Sequence, residues 1–259
     1  MLGAITGDVI GSVYEANPIK TTNFPLFTKH SRFTDDTVLT MATAHAVLRG
    51  LNYASVYRQF GRAYPRAGYG GAFITWLMVD GAPPYNSWGN GSAMRVSPVG
   101  FAFKSQEEVL QEAQKSAAVT HNHPEGVKGA QATALAVYLA RSGHSKDRIR
   151  QVISDAFGYN LNRILKEIRP NYFFDVSCQG SVPEAILAFL ESEDVESAIR
   201  LAISLGGDSD TLACIAGGVA FAFYKKIPKT IEIEVRSRLP KEFLDLLDEF
   251  SNTFMNPYG

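Results

Sequence analysis

Three glycines recur at every fourth position near the start of the chain, at Gly3, Gly7 and Gly11. Residues four apart lie on one face of an α-helix, so the spacing predicts a helix with a face that lacks side chains. A glycine inside a helix costs roughly 1 kcal/mol relative to alanine, so three in register favour close approach by a second helix. We expect residues 211–224 to be that partner, because small residues also recur there: Ala213, Ala216, Gly217 and Ala220.

Helical periodicity dominates the rest of the chain, and strand signals are nearly absent. Ser105 and Glu108 have the spacing of a capping box and predict the start of a helix that continues through residues 109–118. Further helices are predicted at residues 126–140, 146–157, 182–190, 195–205, 211–224 and 241–254. No linker, repeat or change in composition divides the chain. The prediction is therefore one all-α domain that spans residues 1–259.

The overall charge excludes several classes of partner. The net charge is −1, so the chain has no bulk positive field that would collect nucleic acid or anionic lipid. Phosphate on a ligand must then be held by local groups, such as backbone N–H donors or one or two placed side chains.

The expected compartment is the cytoplasm. Cys178 and Cys214 are the two cysteines, which rules out a disulfide framework and a thiol metal site and favours a reducing compartment. Residues 1–15 have no basic region and contain Asp8 and Glu15, so they do not resemble a signal peptide. The strongest apolar stretch, residues 212–224, is too short to span a bilayer, and we expect no membrane association.

Two short acidic motifs stand out. The first acidic motif is TDDT at residues 34–37, and the second is GGDSDT at residues 206–211; each precedes an apolar helix. Helix capping explains one such residue, since Asp, Ser and Thr are preferred N-caps. Capping does not explain two neighbouring carboxylates, which repel unless a cation lies between them. Ligands that are all oxygen suit Mg²⁺ or Mn²⁺ better than Zn²⁺, and two clusters fit two ions a few ångströms apart.

A glycine loop and a Thr-His pair are weaker signals of a ligand site. The glycine loop, GNGSAMR at residues 89–95, exposes backbone N–H groups that suit a phosphate, although a tight turn would have the same sequence. Arg95 is either a cation for a pyrophosphate or an internal salt-bridge partner. His121 either binds a ligand or has a structural role, and its separation from His123 does not suit a metal pair on a helix.

Taken in order, the segments GDVIGSVYE, TDDT, GNGSAMR, TH and GGDSDT resemble the ADP-ribosylglycohydrolase family, from residue 1 to about residue 224. The resemblance implies an orthogonal bundle of α-helices around a binuclear centre of Mg²⁺ or Mn²⁺. The metal ligands that it implies are Thr34, Asp35, Asp36, Asp208, Asp210 and Thr211. The substrate-binding residues that it implies are Gly89, Asn90, Gly91, Ser92, Ala93, Met94, Arg95 and His121.

The same resemblance implies hydrolysis of the glycosidic bond at C1″ of an ADP-ribosyl group, with release of ADP-ribose from its acceptor. The catalytic residues would be Glu15, Asp36 and Asp210, and Glu15 is the favoured base because each aspartate is committed to metal. The substrate would be an ADP-ribosylated protein or a small ADP-ribosyl compound. Arginine, serine, a nucleic-acid end and O-acetyl-ADP-ribose are all open as acceptors, and the oligomeric state is open as well. Residues 69–73, Tyr85 and Trp88 are expected on the acceptor side.

Two other functions fit parts of the pattern. Paired carboxylates with divalent metal also serve a phosphoesterase or pyrophosphatase, which would cut the diphosphate instead of the glycosidic bond. A non-catalytic ADP-ribose-binding protein could keep the fold, but some of its carboxylates would be expected to be missing. All of them are present here, which favours an active hydrolase.

Overall fold

The computed structural model describes residues 1–255, and their regular structure consists of helices. The only β pairing within these residues is one isolated bridge between Gly89 and Ser177. The helices are α1 (Leu2–Gly11), α2 (Asp35–Arg49), α3 (Tyr53–Ala63), α4 (Gly71–Met78), α5 (Gly91–Met94), α6 (Ser97–Ala102), α7 (Gln106–Ala118), α8 (Pro124–Arg141), α9 (Lys146–Phe157), α10 (Leu165–Ile168), α11 (Cys178–Glu191), α12 (Val195–Ile203), α13 (Ser209–Tyr224), α14 (Lys229–Arg236) and α15 (Lys241–Phe254). The predicted all-α fold is confirmed. No helix within these residues is long and apolar enough to cross a membrane.

Helices α1 and α13 lie against each other along the glycine face of α1, as the spacing predicts. A Cβ atom at Gly3 or Gly7 would overlap the carbonyl oxygen of Gly217 or Ala213, and one at Gly11 would lie 2.5 Å from the carbonyl oxygen of Ser209. No side chain fits at such distances. The two backbones therefore touch, and the contact places the end of α1 beside the start of α13.

The side-chain caps explain why several predicted helix ends agree with the structure. Ser105 accepts from the Glu108 N–H while Glu108 accepts from the Ser105 N–H, which is the predicted capping box. Helix α9 begins after Ser145, whose hydroxyl accepts from Arg148, and it ends before Gly158 in the left-handed conformation. Both ends of α9 match the prediction.

Other helices differ from the prediction. Helix α11 begins at Cys178, four residues before the predicted start, because the Ser177 side chain caps it and Pro183 is accommodated near its start. Helix α12 ends at Ile203, two residues early. The helices that were not predicted are α3, α4, α5, α6, α10 and α14. In α14 the apolar residues alternate with polar ones, and only packing shows that Ile231 and Val235 share the buried face of a helix.

Two helix N-termini face one cavity. The start of α2 carries the first acidic motif, and the start of α13 carries the second. The Thr211 hydroxyl donates to Asp36 at 3.2 Å, which joins the two motifs directly. Helix α5 and its preceding loop pack beside α13 and α8, so the glycine loop closes another side of the same cavity.

Candidate active site

The cavity has a volume of about 400 Å³ and lies where the acidic motifs, the glycine loop and the start of α8 meet. This size falls within the ~300–1,000 Å³ that is usual for small-molecule sites. Of the residues predicted from the sequence, those that line it are Glu15, Thr34, Asp35, Asp36, Gly89, Asn90, Gly91, Met94, Arg95, His121, Asp208, Asp210 and Thr211. Ser92 and Ala93 do not line it.

Asp8 holds the first acidic motif in place. Its buried carboxylate accepts from the Thr34 N–H at 2.9 Å, the Thr34 hydroxyl at 2.7 Å and the Thr37 N–H at 3.0 Å, and it also accepts from the Thr37 hydroxyl. The sequence motifs assigned no role to Asp8. Its position after Gly7, on the helix that contacts α13, was the available signal. Asp8 therefore acts as the buried anchor of the loop that enters α2.

Asp36 and Asp210 come from different helices and face each other through Thr211. One Asp36 oxygen accepts from the Thr211 hydroxyl, whereas its Oδ1 is buried and has no hydrogen-bond partner within residues 1–255. The Thr211 N–H donates to Asp210 at 3.0 Å. Burying an anionic oxygen without a hydrogen-bond donor costs free energy, so a cation close to Asp36 Oδ1 would stabilise the ionised carboxylate.

Glu15, Asp208 and Asp210 form the tightest acidic group of the described residues. One oxygen from each lies within 4.8 Å of the others. Helix α1 ends at Gly11, so the turn after the helix carries Glu15, and its side chain is exposed at the cavity. Asn90 donates to Asp208 at 2.7 Å and to Ser181 at 3.1 Å, and thereby joins the glycine loop to the second acidic motif.

The electrostatics of this group oppose ionisation. Burial raises the pKa of Asp36 and Asp210 well above the usual range, and repulsion from the neighbouring carboxylates raises it further. The pKa of Asp35 is raised to about 8, first by burial and then by Asp8. Burial and Asp208 also raise the pKa of Glu15, against a lowering by Arg32. Within the described part of the chain, none of these carboxylates joins a salt bridge.

These residues fit a divalent metal. The donor set consists of carboxylate and hydroxyl oxygens, which hard cations such as Mg²⁺, Mn²⁺ and Ca²⁺ prefer. A bound cation would offset the repulsion that raises the pKa of the carboxylates and would pair the Asp36 oxygen that lacks a donor. The acidic group is therefore a candidate metal centre on geometry and charge alike.

The glycine loop lines the cavity at residues 89–91 and at Met94 and Arg95. A Cβ atom at Gly91 would lie 3.2 Å from His121 Nε2, and one at Gly89 would lie 3.5 Å from it, so glycine leaves room for the imidazole. The Ser92 hydroxyl instead donates to the Gly126 carbonyl at 2.7 Å, and Ala93 is buried in the core. These two residues of the predicted substrate-binding set face away from the cavity.

Arg95 is fully buried and forms no salt bridge within residues 1–255, so the salt-bridge alternative is wrong. Its guanidinium lies over the Tyr57 ring, 4.4 Å from the centroid, and donates to the Ser116 carbonyl and the Thr120 hydroxyl, each at 2.9 Å. Burial and the charge of Arg95 lower the pKa of His121 well below its usual range. His121 is therefore neutral at the cavity wall.

Part of the cavity wall was not predicted from the sequence. Phe174 and Val176, which no motif predicted, line the cavity although each is more than half exposed. A cluster of aromatic residues at 172–174 was the only sequence signal for that loop. Phe73 and Tyr85, which were expected on the acceptor side, also line the cavity. Trp88 is not on the wall; its ring packs against His123, 5.5 Å between centroids.

A comparison with protein-family models shows to which family the chain belongs. The family model described as ADP-ribosylglycohydrolase matches residues 1–256, which is nearly the whole chain. The chain belongs to the ADP-ribosylglycohydrolase family. The resemblance inferred from the acidic motifs is thereby confirmed, and the chain is an ADP-ribosyl hydrolase.

Relatives of this ADP-ribosylglycohydrolase are distant but match most of its length. ADP-ribosylhydrolase ARH3 of Bos taurus is 26% identical, over 89% of this chain and 86% of the relative. ADP-ribosylhydrolase ARH3 of Danio rerio is 28% identical, over 74% and 70%. The putative ADP-ribosyl glycohydrolase L543 of Acanthamoeba polyphaga mimivirus is 27% identical, over 88% and 87%.

The solved structures agree on the fold of this ADP-ribosylglycohydrolase. A chain of an "ADP-ribosylglycohydrolase-related protein complex" superimposes with a TM-score of 0.74, covering 97% of this chain and 96% of its own, at 23% identity. At that identity the likeness concerns the fold alone. The all-α architecture is thus shared over nearly the whole length of both chains.

Proposed function

We propose that this ADP-ribosylglycohydrolase is a metal-dependent enzyme that hydrolyses the glycosidic bond at C1″ of an ADP-ribosyl group and releases ADP-ribose. The observation that carries the proposal is the convergence of Glu15, Asp208 and Asp210, with oxygens within 4.8 Å of one another, in a cavity that the glycine loop also lines. We take residues 1–259 as a single domain, which the family match over residues 1–256 supports.

The acidic motifs are proposed to hold two divalent cations, Mg²⁺ or Mn²⁺, through Thr34, Asp35, Asp36, Asp208, Asp210 and Thr211. When bound, such ions supply Lewis-acid stabilisation of charge and orient oxygen ligands. The chain's own residues preorganise this set. Asp8 fixes the loop of the first motif, and Asn90 orients Asp208, so the ligand oxygens are positioned before any ion binds.

Glu15 is proposed as the general base. It is exposed at the cavity, whereas Asp36 and Asp210 are buried, so Glu15 is the carboxylate with access to solvent water. Burial and Asp208 raise its pKa, which makes it a better proton acceptor once ionised. Asp36 and Asp210 would act in catalysis as ligands of the proposed cations, whose chemistry when bound is to orient the substrate's oxygens as the glycosidic bond breaks with oxocarbenium character.

The remainder of the substrate is proposed to lie along the glycine loop. The backbone at Gly89 and Gly91 approaches the cavity without side chains, and His121 and Asn90 lie beside it. The diphosphate would therefore meet the Gly91 N–H and a neutral imidazole rather than a cluster of lysines. The N–H groups of Gly89 and Asn90 already donate to the Ser87 hydroxyl and the Val176 carbonyl. The substrate class is an ADP-ribosylated protein or a small ADP-ribosyl compound, as the name of the ARH3 relatives also supports.

The proposal is tested with a panel of defined substrates: ADP-ribosyl-arginine and ADP-ribosyl-serine peptides, an ADP-ribosylated nucleic-acid end and O-acetyl-ADP-ribose. Each is incubated with metal-stripped protein in EDTA, Mg²⁺ or Mn²⁺, and the products are separated by chromatography. Release of ADP-ribose that depends on metal is expected with at least one substrate. Full activity in chelator contradicts the metal mechanism, and AMP as the product instead supports the pyrophosphatase alternative.

A further inference from the structure

A chain of three buried side chains connects the interior to the cavity. Arg95 Nη2 donates to the Thr120 hydroxyl at 2.9 Å, and that hydroxyl lies 2.7 Å from His121 Nδ1. Arg95 and Thr120 are fully buried, and His121 is 6% exposed at the cavity wall. Within residues 1–255, Arg95 and His121 are the hydrogen-bond partners of the Thr120 hydroxyl.

The directions of these hydrogen bonds determine where the His121 proton lies. A guanidinium can only donate, so Arg95 occupies one lone pair of the Thr120 oxygen. If His121 Nδ1 also donated, the Thr120 proton could turn only to the Tyr85 hydroxyl, which lies nearby but forms no hydrogen bond with Thr120 within residues 1–255. A buried unpaired donor costs about 1–3 kcal/mol. The favoured arrangement therefore has the Thr120 O–H donating to an unprotonated Nδ1.

An unprotonated Nδ1 on a neutral imidazole leaves the proton on Nε2. Burial of the ring, and then the positive charge of the neighbouring guanidinium, disfavour a second proton on the ring. The Nε2 atom lies at the glycine loop, 3.2 Å from where a Cβ atom at Gly91 would be. The Nε2–H group is thus presented at the part of the cavity that is proposed to take the diphosphate and the adjoining ribose.

We infer that Arg95 and Thr120 are positioning residues that hold His121 as the Nε2–H tautomer, so that it donates a hydrogen bond to an oxygen of the bound ADP-ribosyl group. The role of the donor in binding rests on the proposed function, whereas the tautomer itself does not. The inference also explains why a fully buried Arg95 lacks a carboxylate partner. A carboxylate there would offset the positive charge that, after burial, disfavours protonation of the imidazole.

The tautomer is measured in the ligand-free protein by ¹⁵N NMR of the imidazole, since protonated and unprotonated ring nitrogens have clearly separate shifts. The wild-type protein is expected to show a protonated Nε2 and an unprotonated Nδ1 of His121. A predominant Nδ1–H form overturns the inference without any variant. This measurement does not depend on activity, on metal or on the identity of the substrate.

Variants of Thr120 test whether its hydroxyl determines the His121 tautomer. Thr120→Val keeps the side-chain shape but removes the hydroxyl, so we expect a mixture of the two His121 tautomers. Thr120→Ser keeps the hydroxyl and is expected to restore the Nε2–H form. Tyr85→Phe is the control, because Tyr85 carries the alternative acceptor hydroxyl near Thr120 and its loss should leave the tautomer unchanged. A pure Nε2–H form in Thr120→Val would contradict the role of Thr120.

Calorimetric titration with ADP-ribose tests the consequence for binding. Thr120→Val is expected to bind more weakly than wild type in proportion to its lost Nε2–H fraction, about twofold for an equal mixture and about tenfold if that fraction falls to a tenth. Thr120→Ser is expected to stay close to wild type. If wild type shows the predicted tautomer but neither binds ADP-ribose nor hydrolyses the panel, the proposed function fails and the tautomer assignment stands. If wild type binds and Thr120→Val binds equally well with a mixed tautomer, the inferred donor role fails.

Discussion

Asp36 is the residue at which the requirement for a cation is most direct. It is 2% exposed, one of its oxygens has no partner among the described residues, and burial raises its pKa. Asp36→Asn is expected to lower metal-dependent turnover by at least about 100-fold. Removing a residue that only hydrogen-bonds a metal ligand lowers activity by about 10–100-fold, and removing the ligand itself should lower it at least as much. Without metal the variant should melt at or above the wild-type temperature, because the amide removes a buried charge that its neighbours repel.

The matched control for that variant is Asp245→Asn, since Asp245 is exposed and pairs with Lys241 at the surface. It should change neither turnover nor metal binding, because exposed ion pairs contribute little. Differential scanning calorimetry in EDTA and steady-state kinetics in Mn²⁺ make the comparison. An unfolded Asp36→Asn beside a folded metal-free wild type would assign Asp36 a structural capping role and contradict the ligand proposal.

The raised carboxylate pKa values predict how the metal-free protein responds to pH. The pKa of Asp35 is about 8 in the folded chain against an ordinary value of 3.8, so between these values the folded state holds more protons than the unfolded state. The free energy of unfolding should therefore fall as pH rises from about 4 to about 8. Urea titrations of metal-stripped protein at several pH values measure this slope. Asp35→Asn should make this decrease less steep. A free energy of unfolding that increases with pH in the wild-type protein would contradict the assignment.

At the scale of elements, the contact between α1 and α13 positions the second acidic motif. A side chain at Gly7 would meet the backbone at Ala213, which cannot move as a flexible side chain can. Gly7→Ala is expected to lower the free energy of unfolding by roughly 1–3 kcal/mol, despite the better helix propensity of alanine. Gly7→Val should cost more. Turnover in the folded fraction should fall as well, because α13 carries Asp208 and Asp210 at its start.

The control for the glycine series is Gly71→Ala, at the first residue of α4, where no heavy atom lies within 4 Å of the added Cβ. Alanine there should be neutral or stabilising by up to about 1 kcal/mol. Chemical denaturation of the three variants gives the comparison. If Gly7→Ala and Gly7→Val both raised the melting temperature, the close packing of α1 on α13 would be contradicted.

At the scale of the whole molecule, metal binding should couple to folding. The ligand set draws on α2 and α13, so the ions are expected to bind the folded chain and not the unfolded one. At about 100 times the dissociation constant, such a ligand adds roughly 2.7 kcal/mol to the free energy of unfolding. The melting temperature should rise with Mn²⁺ or Mg²⁺ and return to the starting value with EDTA. A melting temperature unaffected by either ion would contradict the proposed centre.

The sequence by itself determined the helices whose signals are local. A capping box at Ser105, and a capping serine and a closing glycine around α9, act through neighbours in the chain. The glycine spacing in α1 is likewise recognisable within one helix, although the contact that it permits is with the distant helix α13. The acidic motifs were found for a related reason, since adjacent carboxylates repel in any fold. Such patterns keep their meaning without knowledge of the tertiary structure, because the interactions they describe lie within about one turn of helix.

Only the tertiary structure decided which side chains meet. It showed Asp8 as the anchor of a motif 26 residues away, placed Glu15 in a turn beyond its helix, and directed Ser92 and Ala93 away from the cavity. It also brought Thr120 between Arg95 and His121. These outcomes depend on helix packing across the chain, and packing is decided by the shape of the whole buried core rather than by the neighbours of any one residue.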